Sequence, residues 1–131
     1  MTVAPLRALI ADDDADLRVL LEIAARRAGF EVAASVSNGR QALDAILTGE
    51  IEVALLDVSM PELTGLEVMK QARAAGQHPR VVIVSASVDA AALDAGIAAG
   101  ADEYIVKPFS PRQLGQRLAE LADGWARQDA P

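Results

Sequence analysis

The sequence predicts an α/β domain: a five-stranded parallel sheet flanked by helices on both faces. Three observations point there. Short apolar runs begin near residues 7, 31, 53, 80 and 103, at intervals of 24, 22, 27 and 23 residues. Each run is followed by a stretch with helical spacing, so strand and helix alternate from end to end. The runs Val53-Ala54-Leu55-Leu56 and Val81-Val82-Ile83-Val84 are continuous rather than alternating, as strands buried on both faces must be.

Leu6 to Ala11 reads as the first strand, and it runs into Asp12-Asp13-Asp14. Leu17, Leu21, Ala24 and Ala28 form one stripe of the helix that follows, and Gly29 ends it. Asp14 is placed to cap that helix or to add negative potential near the strand end, while Asp16, Arg18 and Glu22 read as a solvated face. Glu31 to Ser35 is a weaker second strand. Asn38 can cap the second helix, whose buried side reads as Leu43, Ile46 and Leu47, with a stop near Gly49. The third strand ends in Asp57. Pro61 bars its continuation, and Thr64-Gly65-Leu66-Glu67 has the form of a capping box. Its helix carries Leu66, Met69 and Ala72 toward the core and ends at Gly76.

Pro79 precedes Arg80 to Ser85, the richest β-branched run. The fourth helix, from about Ala90, offers only Leu93 and Ile97 as large apolar groups and contains Gly96. An internal glycine costs about 1 kcal/mol, so this helix is expected to be marginal. Glu103 to Val106 is the fifth strand, leading into Lys107-Pro108-Phe109. Ser110-Pro111 then supplies a cap and a first-turn proline for a last helix with Leu114, Leu118, Leu121 and Trp125 on its stripe. The domain is read as residues 1–125, with 126–131 as a C-terminal tail.

Composition narrows the function. The chain of 131 residues is one domain by length. It has no cysteine, which excludes disulfide and thiol chemistry and fits a reducing, cytoplasmic setting. No apolar run approaches the ~20 residues that cross a membrane, and the N-terminus lacks the apolar core of a signal peptide. A formal charge of −7 weighs against direct nucleic-acid binding. His78, the single histidine, and Lys70 read as surface residues. Lys107 is the only other lysine.

Acidic or polar residues thus end strand one (Asp12, Asp13), strand three (Asp57) and strand four (Ser85), and Lys107 ends strand five. For these to meet, strands one and three must be neighbours and strand two must lie outside strand one. That arrangement places a topological switch point between one and three. Three clustered carboxylates raise one another's pKa unless a cation joins them. Oxygen ligands with a single lysine nearby suit Mg2+ or a similar hard cation. A cation, a hydroxyl and a lysine together hold phosphoryl oxygens, and such a pocket contains a carboxylate able to act as nucleophile.

With Asp12-Asp13 after a strand, Asp57 with Met60-Pro61 and Gly65, Ser85-Ala86, and Lys107-Pro108-Phe109, the sequence resembles the receiver domain of bacterial response regulators from about Arg7 to Leu121. The resemblance implies a flavodoxin-like fold with strand order 2-1-3-4-5. It implies that Asp57 accepts a phosphoryl group from a histidine kinase or histidine phosphotransfer protein, as a signalling phosphoacceptor rather than a turnover enzyme. Asp13, Asp57 and the carbonyl of Ser59 would coordinate Mg2+, with Asp12 helping through water. Ser85 and Lys107 would hold phosphoryl oxygens, and Tyr104 would turn inward as Ser85 moves. Ser59 and Ser87 stand at the positions that tune phosphoryl loss. The signal would leave through the fourth helix, fifth strand and fifth helix to a protein target that the sequence does not name. The Lys107–Pro108 bond is implied to be cis, against a base rate of ~5–6%.

Three other readings compete. Asp12-x-Asp14 matches the nucleophile signature of haloacid-dehalogenase-type phosphatases, but that family wants Thr or Val where Asp16 stands, and it leaves Asp57 without a purpose. A receiver that has lost its chemistry would lack some phosphorylation residues, and all are present. The chain also reads as a receiver fragment of a longer multidomain regulator.

Overall fold

The computed structural model of the chain describes residues 5–86 and 90–128. Strands and helices alternate as β1 (Arg7–Ala11), α1 (Ala15–Arg27), β2 (Glu31–Val36), α2 (Gly39–Leu47), β3 (Val53–Asp57), α3 (Gly65–Ala74), β4 (Arg80–Ser85), α4 (Ala90–Ala98), β5 (Glu103–Val106) and α5 (Pro111–Gln128). The strands form one parallel sheet in the order β2-β1-β3-β4-β5. This is the flavodoxin-like order that the resemblance implies.

Two apolar layers hold the sheet. On one face Leu9, Ala11, Ala54, Leu56, Val81 and Ile83 meet α2 and α3 through Leu43, Ile46, Val68 and Met69. On the other, Ala8, Ile10, Val53, Leu55, Val82 and Val84 meet α1 and α5 through Leu21, Ala24, Leu114 and Leu118. Alternate residues of β1, β3 and β4 thus serve opposite layers, as the two-residue period of a strand requires. β3 is buried along its whole length, which accounts for its lack of polar alternation.

The caps follow the sequence. The Asp14 carboxylate accepts from the amides of Asp16 and Leu17, and Asn38 Oδ1 accepts from the amide of Gln41 at 2.8 Å. Thr64 and Glu67 form the reciprocal capping box. The amide of Gly39 donates to the carbonyl of Pro61 at 3.1 Å, so the start of α2 rests on the loop after β3. A β-carbon at Gly39 would lie 1.9 Å from the Leu63 carbonyl oxygen, so no other residue fits there.

Three expectations about buried faces are corrected. Leu47 is 43% exposed, because α2 turns Ala42, Leu43 and Ile46 inward and leaves Leu47 at its C-terminal end past that stripe. Leu93 and Ile97, read as the anchors of α4, are 41% and 52% exposed. The buried residue of α4 is Gly96. A β-carbon there would stand 2.9 Å from Ile83 Cδ1 and 3.4 Å from the Tyr104 ring, so the glycine is what lets the helix approach the sheet. Its propensity cost is real, but it serves close packing. α5 continues helical past Trp125 to Gln128.

Candidate functional site

The strand registers bring the chemistry together. Ala11 pairs with Leu56, so Asp12 and Asp57 emerge side by side from β1 and β3. Asp57 pairs with Val84 and Ser85 pairs with Val106, which sets Ser85 and Lys107 at the same edge of the sheet. β1 is flanked by β2 on one side and β3 on the other, so the crevice between β1 and β3 lies where the strand order reverses.

Asp12 is fully buried and Asp57 is 6% exposed, while Asp13 faces solvent. One carboxylate oxygen from each lies within 4.8 Å of the others. Lys107 Nζ donates to Asp12 Oδ2 at 2.8 Å and to Asp57 Oδ2 at 3.1 Å. The remaining oxygens of the two buried acids are held by backbone. Asp57 Oδ1 accepts from the Ser59 amide at 3.1 Å, and Asp12 Oδ1 from the Asp14 amide at 2.9 Å. A buried charge tolerates its site only when paired and hydrogen-bonded in this way.

The electrostatics follow. Burial pushes the Asp57 carboxyl above its ordinary value and the Asp12 charge adds to that; the Lys107 and Ser59 hydrogen bonds oppose them and do not prevail. Burial alone would lower the Lys107 ammonium, but its hydrogen bonds and charge pairing with Asp12 and Asp57 hold it above the usual lysine value. The cluster therefore carries three carboxylates against one fixed cation, and its donors are all oxygen. That donor set fits a hard divalent ion and offers nothing for a thiophilic metal.

Of the described residues expected at the site, Asp12, Asp13, Asp57 and Lys107 meet at this edge and the others stand near it. Ser85 ends β4 and is 5% exposed. Tyr104, half-buried on β5, packs against the layer that contains Ile83. The Lys107–Pro108 bond is cis. Ser59 is solvent-exposed two residues after Asp57; Ser87 lies outside the described residues. Gly65 is required because a β-carbon there would come within 2.5 Å of the Asp57 carbonyl oxygen. Its amide donates to Val58 at 3.0 Å, which seats the start of α3 directly beneath the acid.

Asp14 keeps the capping role read for it, and Arg18 departs from its reading. Asp14 has its carboxylate committed to the first amides of α1, away from the cluster, which removes half of the Asp12-x-Asp14 pair of the phosphatase reading. Arg18, read as part of a solvated face, is half-buried and donates from Nη1 to the Asp12 carbonyl at 2.9 Å. No sequence pattern marks it, because a long side chain that folds back across a helix start leaves no periodic signal.

A groove of about 1260 Å3 lies at the opposite edge, among the strand beginnings, lined by Leu6, Phe30, His78, Arg80 and Trp125. Among the described residues it holds no cluster of acids comparable to Asp12, Asp13 and Asp57. No described helix is long and apolar enough to cross a membrane.

Known proteins agree with this geometry. Residues 8–119 match the response regulator receiver domain family. The chain is 32% identical over 116 residues to the chemotaxis protein CheY of Thermotoga maritima, covering 88% of this chain and 97% of that one. It is 38% identical over 112 residues to the DNA-binding response regulator MtrA of Mycolicibacterium paratuberculosis, covering 86% of this chain but 49% of that protein. Among solved structures, the REC domain of AraT, a response regulator from Geobacillus stearothermophilus, superposes with a TM-score of 0.83 at 26% identity, covering 95% of this chain and 98% of that one. A CheY-like receiver domain protein from Methanospirillum hungatei gives 0.81 at 28% identity, covering 95% and 98%. With the acidic crevice, the strand order and the family match in agreement, the chain belongs to the response regulator receiver domains, the phosphoaccepting modules of two-component signalling.

Proposed function

We propose that Asp57 is the phosphoacceptor, that it takes its phosphoryl group from a histidine kinase or histidine phosphotransfer protein, and that Mg2+ is the cofactor. The observation that carries this is the buried Asp12–Asp57 pair bridged by Lys107 at the switch point of the sheet. Asp13, Asp57 and the Ser59 carbonyl would hold the ion directly and Asp12 through water. Bound there, it would offset the carboxylate charge and that of the incoming phosphoryl oxygens.

The chain's own groups do the rest. An Asp57 carboxylate oxygen attacks phosphorus in line. A phosphorus–oxygen bond forms as the phosphorus–nitrogen bond of the donor phosphohistidine breaks, and the imidazole leaves. Lys107 pairs with one phosphoryl oxygen and the Ser85 hydroxyl donates to another. Ser85 ends β4 in register with Val106, and Lys107 follows Val106 directly, so the sheet fixes both strand ends beside that of Asp57. Ser59, exposed two residues after Asp57, would set how quickly water removes the acyl phosphate, as would Ser87 by its place in the sequence two residues after Ser85. The domain, whose last helix reaches Gln128, acts in the cytoplasm as a switch and not as a turnover enzyme.

The switch works through α4, β5 and α5. Drawing Ser85 toward the phosphoryl group vacates space for Tyr104, which packs beneath Gly96 of α4. A partner that prefers one of two α4 positions then binds more tightly, by the 1–3 kcal/mol typical of such coupling. Incubation with Mg2+ and acetyl phosphate tests the chemistry: the chain gains one phosphoryl mass, and Asp57→Asn gains none. Full labelling of Asp57→Asn together with none of Asp12→Asn would return the phosphatase reading.

A further inference from the structure

We infer that Arg18 is a positioning residue for the cation site, fixing the Asp12–Asp13 peptide so that the Asp13 carboxylate points into the cluster. The inference rests on the Mg2+ reading of that cluster. Asp12 is held at every polar group. Its amide donates to the Val36 carbonyl at 3.2 Å, its Oδ1 accepts from the Asp14 amide, and its Oδ2 accepts from Lys107. Its carbonyl accepts from Arg18 Nη1 at 2.9 Å. Asp13 has no side-chain hydrogen bond among the described residues, yet it supplies one of the three converging oxygens. What orients it is the peptide plane before it, and Arg18 grips that plane by its oxygen.

The position of Arg18 supports a dedicated role. It is the fourth residue of α1, near the positive end of the helix dipole, where a cation is disfavoured. It is half-buried, while Asp16 and Val19 beside it are exposed. Among the described residues it has no carboxylate partner, and the Asp12 carbonyl is the acceptor it reaches. Outer-shell groups that orient metal ligands commonly change metal affinity by 10–100-fold when removed.

Positioning and plain charge predict opposite signs. Deleting a nearby positive charge alone would tighten Mg2+ binding, whereas loss of the peptide anchor loosens it. Calorimetric titration of Mg2+ into chelator-cleared protein decides between them, using Arg18→Met, which keeps the stem and loses the donors, and Arg18→Lys, which keeps the charge. The expected result is a Kd about 10-fold higher for Arg18→Met and an intermediate value for Arg18→Lys, with metal-free melting temperatures close to the parent's. A Kd equal to or below the parent's in Arg18→Met overturns the inference. Should Arg18→Met not fold, Arg18→Lys decides alone: a raised Kd supports the inference and an unchanged one overturns it. If the parent itself does not bind Mg2+, the proposed function falls instead, so the two failures are distinct.

Discussion

α4 and α5 flank the same edge of the sheet and are held in contrasting ways. α5 runs for 18 residues and buries Leu114, Gly115, Leu118 and Trp125. It is further tied by the Arg80 guanidinium stacked 5.5 Å from the Trp125 ring and by an ion pair from Arg117 to Glu103. α4 has 9 residues, buries Gly96 alone, and shows Leu93 and Ile97 to solvent. Its exit is held by Arg73, whose Nη2 donates to the Gly100 carbonyl at 2.9 Å. The contrast teaches that helix length and overall apolarity say little about attachment. What counts is how many large side chains reach the core, and elements with few of them open at low free-energy cost.

The largest expected effect lies in α5. Leu118→Ala removes a fully buried side chain and should lower unfolding free energy by about 2–5 kcal/mol in a urea titration. A loss under about 1 kcal/mol would break the comparison by showing α5 to be no better anchored than α4. Gly96→Val comes next, because its β-carbon would meet Ile83 Cδ1 at 2.9 Å. Overpacking costs about 1–3 kcal/mol when neighbours cannot yield. A loosely held α4 should move outward, bringing the cost to the low end and accelerating amide exchange in α4 but not in α5.

The third effect separates charge from packing, and it should be smaller than either. Burial raises the Asp57 pKa, so its contribution to stability is present below the unfolded value and is lost as pH rises through the folded one. At pH 7 the ionised group therefore disfavours the metal-free fold. Asp57→Asn in chelator should melt above the parent at pH 7, with the difference shrinking as the pH falls toward 4. A lower melting temperature at pH 7 would contradict this. Asp13→Ala, which also relieves crowding, should hold or raise metal-free stability while losing Mg2+ binding by calorimetry. Smallest of all are Leu93→Ala and Ile97→Ala, each expected within about 0.5 kcal/mol of the parent because both side chains are already largely in water.

The strands were legible because β3 and β4 are apolar on both faces, and their ends at Asp57 and Ser85 agree with the continuous runs. The capping residues were equally plain, since Asp14, Asn38 and Thr64 each sit where a helix must begin. Asp12, Asp57, Ser85 and Lys107 lie at one edge because each ends a strand or directly follows one, and register gathers strand ends. The rotation of α4 was not legible. Ala90 to Ala98 is apolar nearly all round, so no periodicity distinguishes the buried side, and the two largest groups are a poor guide when a glycine makes the contact. Leu47 misled for a related reason, lying one residue past the α2 stripe at the end of the helix.

The Arg80–Trp125 stack also governs how this chain is observed by light. Trp125 is the only tryptophan, and Arg80 beneath it begins β4, whereas Ser85 ends that strand at the acidic edge. Five residue steps of about 3.3 Å separate those ends, roughly 16 Å. The residue next to the acceptor is Val58, which has no chromophore. Indole emission should therefore report the docking of α5 and its loss on unfolding, and stay nearly silent when an ion or a phosphoryl group reaches Asp57.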